Sequence, residues 1–270
     1  MKTFGVALAG ALLFSGGLAG GAAAAEVLPA GGRLVATYNV AVAGFSLGEV
    51  QLDARFDGPS YRMKGEGKFS LFFGRTYKSG GAAVSAGRMR NQGPEPASFK
   101  VNYQSDDKTE ERRIVFKGGN VEDFTIDPPK KAGKKRVPVT TQQLRDVLDP
   151  LSAAFLHMQS GASVCDDTMP IFDGRLRYDI VLQPKRIDEL PSEAPRGLSG
   201  PVQVCAVKFV PVSGHKPDNP AIQYLSKTDR IEARLVRLPE TSLYVPLWVG
   251  VPTIIGSAAV TLTGIEMKGD

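Results

Sequence analysis

The 270-residue chain contains only two cysteines, two histidines and one tryptophan. No C-x-x-C pair is present for thiol redox chemistry, and two histidines leave little with which to build a Cys/His metal centre. G-x-S-x-G, H-E-x-x-H and phosphate-binding loop motifs are missing, and Gly65-Glu66-Gly67 lacks the rest of a dinucleotide fingerprint. A Ser-His-Asp arrangement can be drawn around His157 or His215 only by choosing partners freely. His157 follows an apolar helical stripe and reads as a partly buried helix residue; His215 lies in a polar loop and reads as solvated. Asp106-Asp107 and Asp166-Asp167 read as turn residues rather than metal ligands. The residues point to no catalytic site, no metal and no cofactor, and the expectation is a protein that is not an enzyme.

What is present starts with an export pattern. Lys2 precedes an uncharged Ala/Leu/Gly stretch from Phe4 to Gly20, and Ala22 to Ala25 supplies an A-x-A cleavage site, so residues 1–25 read as a signal peptide and 26–270 as one β domain. No cysteine follows the site, which removes lipid attachment at a new N-terminal Cys. Full-chain charges are Lys+Arg 33 against Asp+Glu 28; removing Lys2 leaves 32 against 28, a mild excess of +4. Export, and the lack of a basic stripe interleaved with aromatics, argue against nucleic acid as a partner. Thr241 to Ile265 carries no charge, but Pro246, Pro252, three glycines and abundant Val, Ile and Thr make it two buried strands rather than a membrane span. No transmembrane segment is expected in the mature chain.

In an oxidising compartment Cys165 and Cys205 are expected to pair, closing a 41-residue loop worth about 4 kcal/mol in the chain-entropy account. Two free buried thiols, or a reactive cysteine, are the alternatives.

Most of the chain alternates with period two. Arg33 to Val42 and Phe45 to Asp57 flank Ala43-Gly44 as a hairpin; Tyr61 to Ser70, Arg75 to Val84 and Arg88 to Gln92 continue as strands, and Gly93-Pro94-Glu95-Pro96 should end them. Ser98 to Gln104, Glu110 to Lys117 and Asn120 to Ile126 form a meander, with Phe99, Val101 and Tyr103 on one face. Asp173-Gly174 marks a second hairpin, and Gln183 to Gly200 reads as a loop.

The exception is Thr140 to Ser160, where Leu144, Val147, Leu148, Leu151, Ala154, Phe155 and Met158 recur at helical spacing. Pro150 divides it: a short helix capped at Thr140 or Thr141 should end near Leu148, and a second should begin with Asp149 as cap. The expected fold is mainly β, a strongly curved antiparallel sheet (half-barrel or open barrel) around one or two short central helices, with a helical insert near 140–160.

The hairpin Tyr38-Asn39-Val40 with Gly44-Phe45-Ser46-Leu47-Gly48, the segment Asp146 to Ser152, Ile171-Phe172-Asp173-Gly174-Arg175 and Arg230-Ile231-Glu232-Ala233 ahead of Val245-Pro246-Leu247 together resemble the proteobacterial domain-of-unknown-function 3108 family. That family is similar to lipoprotein-carrier (LolA/LolB-like) half-barrels and to envelope-integrity proteins. The resemblance implies no catalytic residue, and adds that an apolar concavity holds an acyl chain.

The functional expectation is a periplasmic envelope protein that binds a lipidic or peptide ligand, or a protein partner, in that concavity. Leu144, Leu148, Leu151 and Phe155 are the candidate lining, with Phe72, Phe73 and Trp248 at the rim. A scaffold with a self-filled core is the alternative, and a hydrolase a weaker one. The run Lys130, Lys131, Lys134, Lys135 and Arg136 reads either as a solvated loop or as a contact for an anionic partner. The exported product should begin at Glu26; N-terminal sequencing or intact mass of the protein recovered from the cell envelope checks it, and a retained leader would refute it.

Overall fold

In a computed structural model, residues 32–72, 76–90, 93–105, 108–129, 135–155, 157–158, 164–253 and 256–268 are described. The alternation of the first half becomes β1 (Arg33–Val42), β2 (Phe45–Asp57), β3 (Ser60–Phe72), β4 (Thr76–Arg90), β5 (Gly93–Ser105), β6 (Lys108–Lys117) and β7 (Asn120–Asp127). After a 3-10 turn at Thr141–Leu144 come α1 (Pro150–Phe155), the two-residue β8 (His157–Met158), β9 (Asp167–Phe172), β10 (Arg177–Asp188) and β11 (Val202–Ser213). The chain finishes with α2 (Pro220–Lys227), β12 (Ile231–Arg237), β13 (Leu243–Thr253) and β14 (Gly256–Lys268). The strands lie in the order β7-β6-β5-β4-β3-β2-β1-β14-β13-β12-β11-β10-β9, every pairing antiparallel, with β8 attached to β13.

Alternation decides which side of this sheet is the core. Leu34, Ala36 and Tyr38 of β1, Leu52, Ala54 and Phe56 of β2, and Tyr61 and Met63 of β3 are all buried, while the residues between them reach solvent. These join Phe99, Ile114, Val202, Val204, Leu243 and Val245, drawn from both arms of the sheet, in one cluster. A flat layer could not bring β5 and β11 into one core; the sheet must curl on itself.

The curl does not close by a strand ladder, because β7 and β9 end the order on opposite sides. The gap is spanned by the chain between the 3-10 turn and α1. Val147 N donates to Gly119 O at 2.9 Å, Leu148 N to Pro170 O at 2.8 Å, and Phe172 N to Leu148 O at 2.9 Å, so Leu148 forms a parallel bridge with Ile171. Side chains reinforce the seam. Phe124 meets Phe172 edge to face at 5.1 Å, Arg112 Nη1 donates to Asp173 Oδ2 at 2.8 Å, and Arg175 Nη2 to Glu110 Oε2 at 3.3 Å. Arg112, Glu110 and Asp173 are largely shielded, so these pairs are screened less than surface ones.

Several boundaries differ from the sequence reading. The first helix ends at Leu144 as a 3-10 turn rather than near Leu148, because Val147 and Leu148 are drawn out to bridge the seam. The two runs read as separate strands, 75–84 and 88–92, fall over their described residues in one strand, β4 (Thr76–Arg90), and Pro94 and Pro96 sit inside β5 instead of ending a strand. Here β5 pairs only with β4, since β6 joins it from Ser98 onward, so the missing proline N–H groups cost no ladder bond on that open side. Likewise β10 runs through Pro184 to Asp188, with a register shift between Pro184 and Arg186.

Cys165 and Cys205 form the expected disulfide with Cα atoms 5.2 Å apart, both sulfurs buried. It fastens the segment entering β9 to β11, with β10 between those strands. A Cys165→Ser, Cys205→Ser variant should lose about 2–4 kcal/mol of stability, read from denaturant midpoints beside the oxidised wild type. Equal midpoints would show that the bridge contributes nothing.

Candidate ligand-binding site

A six-residue helix is too short to persist alone, so α1 must be held by its surroundings. Asp149 supplies most of the hold. Pro150, lacking an N–H, suits the first helical position, and Asp149 in front of it acts as the N-cap. Its Oδ1 accepts from the amides of Leu151 and Ser152, each at 3.0 Å, and its Oδ2 accepts from Ser152 Oγ at 2.6 Å and Ser85 Oγ at 2.9 Å. The Tyr61 hydroxyl lies 2.9 Å from Ser152 Oγ, which is 2.9 Å from Ser85 Oγ. The network thus ties α1 to β3 and β4 from the inside. Asp149, Ser85 and Ser152 have no solvent exposure. Burial pushes the Asp149 carboxyl above its ordinary range, opposed by the bonds from Ser152, Ser85 and Leu151.

Held there, α1 parts the interior into two open, mainly apolar concavities. One, of 470 Å³, lies between α1 and β2 to β5, lined by Gly65, Gly67, Gly81, Ala83, Val101 and Tyr103 among others. Missing side chains make this room. A Cβ at Gly65 would stand 3.4 Å from Leu151 Cδ1, and one at Gly67 only 2.9 Å from the Phe69 ring. The second, of 320 Å³, lies between α1 and β9 to β13, lined by Ala154, Met169, Tyr178, Phe209, Leu225 and Ala233 among others. Leu151 borders the first, Ala153 and Ala154 the second, and Pro150 both.

Of the lining residues read from the sequence, Leu151 is therefore in place. Leu144 packs partly buried against the main core, and Leu148 against the cluster around the disulfide; neither lines either of the two apolar concavities. The single helical stripe was broken when the chain straightened across the seam. Phe155 ends α1 and Phe72 ends β3, but their side chains, and all of Phe73, lie outside the described residues.

Trp248 borders neither concavity. Its ring lies under the Arg234 guanidinium at 4.8 Å, in a charged cluster with Glu232, Lys185 and Arg186. Burial would raise the Glu232 carboxyl, but hydrogen bonds from Lys185, Arg186 and Arg234 hold it down to about 2.

In the basic run, Lys135 is exposed, Arg136 donates to Gly214 O at 2.6 Å, and Lys130, Lys131 and Lys134 lie outside the described residues. His215 is half-buried rather than solvated, because backbone bonds between its own carbonyl and Val137 N, and between Gly214 and Val137, press its loop inward. His157 pairs with Tyr244 through the backbone, and its side chain lies outside the described residues. No group of three or more potential metal ligands occurs among the described residues.

The sequence reading missed the Asp149 network and the small-residue wall of β3 and β4. A signal existed for the wall: Gly65 and Gly67, two apart, face the same way. None existed for the network, since Tyr61, Ser85 and Ser152 are far apart in sequence.

Because its folded value is raised, Asp149 favours folding below its ordinary value of 3.8 and loses that contribution as pH rises through the folded value. Asp149→Asn should flatten this part of the pH dependence. Asp149→Ala, leaving two amides and two hydroxyls without their acceptor, should cost about 2–4 kcal/mol. Denaturant unfolding across acid to neutral pH checks both, and an unchanged profile in the Asn variant would refute the assignment.

Comparison with known proteins bears on fold and family. A crystal structure described as a beta-barrel-like protein of domain of unknown function DUF1849 from Brucella abortus superposes with a TM-score of 0.55 at 7% identity, covering 88% of this chain and 98% of that one. At that identity the likeness concerns the fold alone. No curated protein matches. The family described as "Protein of unknown function (DUF3108)" matches residues 37–263, and with that span of curled sheet, seam and inner helix accounted for, the chain belongs to the DUF3108 family.

Proposed function

We propose that this protein is a non-enzymatic binder of a lipid-like ligand in the periplasm, holding alkyl chains between its curved sheet and α1. The observation that carries the reading is the pair of open apolar concavities, 470 Å³ and 320 Å³, beside a helix fixed by a buried polar network. A methylene fills about the 30 Å³ that a water takes in the liquid, so these spaces suit about 15 and about 10 methylenes. Each methylene moved from water into them is worth about 0.8 kcal/mol. The similarity to lipoprotein-carrier half-barrels that the sequence resemblance implies favours the same ligand class. The Cys165–Cys205 bridge is consistent with an oxidising compartment, and no described helix is long and apolar enough to cross a membrane.

A scaffold protein would be expected to fill that space with its own side chains. Instead β3 and β4 present glycine and alanine toward it. Organic extracts of the protein purified under native conditions should contain co-purifying lipid by mass spectrometry, and added lipid should raise the melting temperature of stripped protein. Lipid-free extracts, together with a melting temperature indifferent to added lipid, would overturn the reading.

A further inference from the structure

Two concavities flanking one short helix raise the question of whether they serve two ligands or one. Three features favour one. They share a wall, α1, with Pro150 bordering both and only small residues, Ala153 and Ala154, thickening the second side. A helix with side chains is about 10–12 Å across, and α1 is narrower where it carries alanine, so the two spaces lie within reach of chains joined at a common head.

Second, the linings approach each other at a polar border. Tyr103 lines the first concavity and is 46% exposed; Tyr178 lines the second. The Arg112 guanidinium sits 5.1 Å above the Tyr103 ring and is bonded to Asp173, in the turn that leads into β10 and Tyr178. Tyr103, Asp173 and Arg112 all lie within electrostatic reach of the Tyr178 hydroxyl. Third, the border balances its charges. Arg112 and Arg175 are paired with Glu110 and Asp173, offering donors and acceptors together rather than a field of one sign.

We infer that the ligand is a two-chain amphiphile that straddles α1, one alkyl chain in each concavity, with its head group at the Tyr103–Arg112–Tyr178 border. This rests on the lipid reading above and narrows it to a substrate class. Unequal spaces, about 15 against about 10 methylenes, favour chains of unequal length or depth.

Stripped protein titrated with didodecanoyl phosphatidylcholine, and separately with dodecanoyl lysophosphatidylcholine, tests this by native mass spectrometry. One copy of the two-chain lipid should bind, two copies of the single-chain lipid should bind, and the former should displace both of the latter. Ala83→Leu fills the first concavity and Ala154→Leu the second. Each should weaken the two-chain lipid about tenfold or more and reduce the single-chain stoichiometry from two to one.

A single-chain lipid that binds only once to the wild type, or a two-chain lipid that leaves one single-chain copy in place, would overturn the inference while leaving the lipid reading intact. Binding of neither probe would overturn both. The wild-type stoichiometries need no variant, so a poorly folding substitution does not blunt the test.

Discussion

A carboxyl group enclosed in an apolar interior is costly unless every lone pair finds a donor, and in this protein that requirement fixes the centre of the molecule. Asp149 meets it with two amides of its own helix and two hydroxyls, one of them carried by the wall of the sheet. Tyr61 extends the network to a second strand. α1 therefore takes its position from hydrogen bonds that only one placement satisfies, while apolar contacts alone would allow it to slide. Without it the curled sheet would enclose one undivided space.

Curvature is the second constraint. The arms of the sheet approach at β7 and β9 but do not pair, and the seam is joined by one extended stretch, an aromatic contact and a few shielded ion pairs. A barrel closed by a continuous ladder would distribute that connection over many backbone bonds. Here it depends on a handful of residues, several of which also form the polar border beside the concavities. The disulfide stiffens the arm ending in β9, where the sheet gains least from neighbours.

Fold and side-chain detail are separable in this architecture. A likeness of 7% identity over most of two chains shows that the curled architecture tolerates almost complete replacement of side chains. In this chain the room beside α1 is set by the residues that face inward there, where glycine and alanine stand in place of larger groups. The small-residue wall of β3 and β4 is the feature in which this chain's own chemistry is most visible.

Alternation of side chains, with the turns between runs, by itself determined most of the strands, the face each one buries and their antiparallel character, because the two-residue period of a strand is a local property. Pro150 after Asp149 likewise determined where the inner helix begins, since the cap and the proline act within one turn. Only the tertiary structure decided that Val147 and Leu148 would leave the helical stripe to bridge the seam, that Pro94, Pro96 and Pro184 would be tolerated inside strands, and that Trp248 would face a charged cluster instead of a concavity. Each of these depends on which strand lies alongside. Residues such as Tyr61, Ser85 and Ser152 acquire a common partner only once the sheet has curled, and no local pattern in the chain records that meeting.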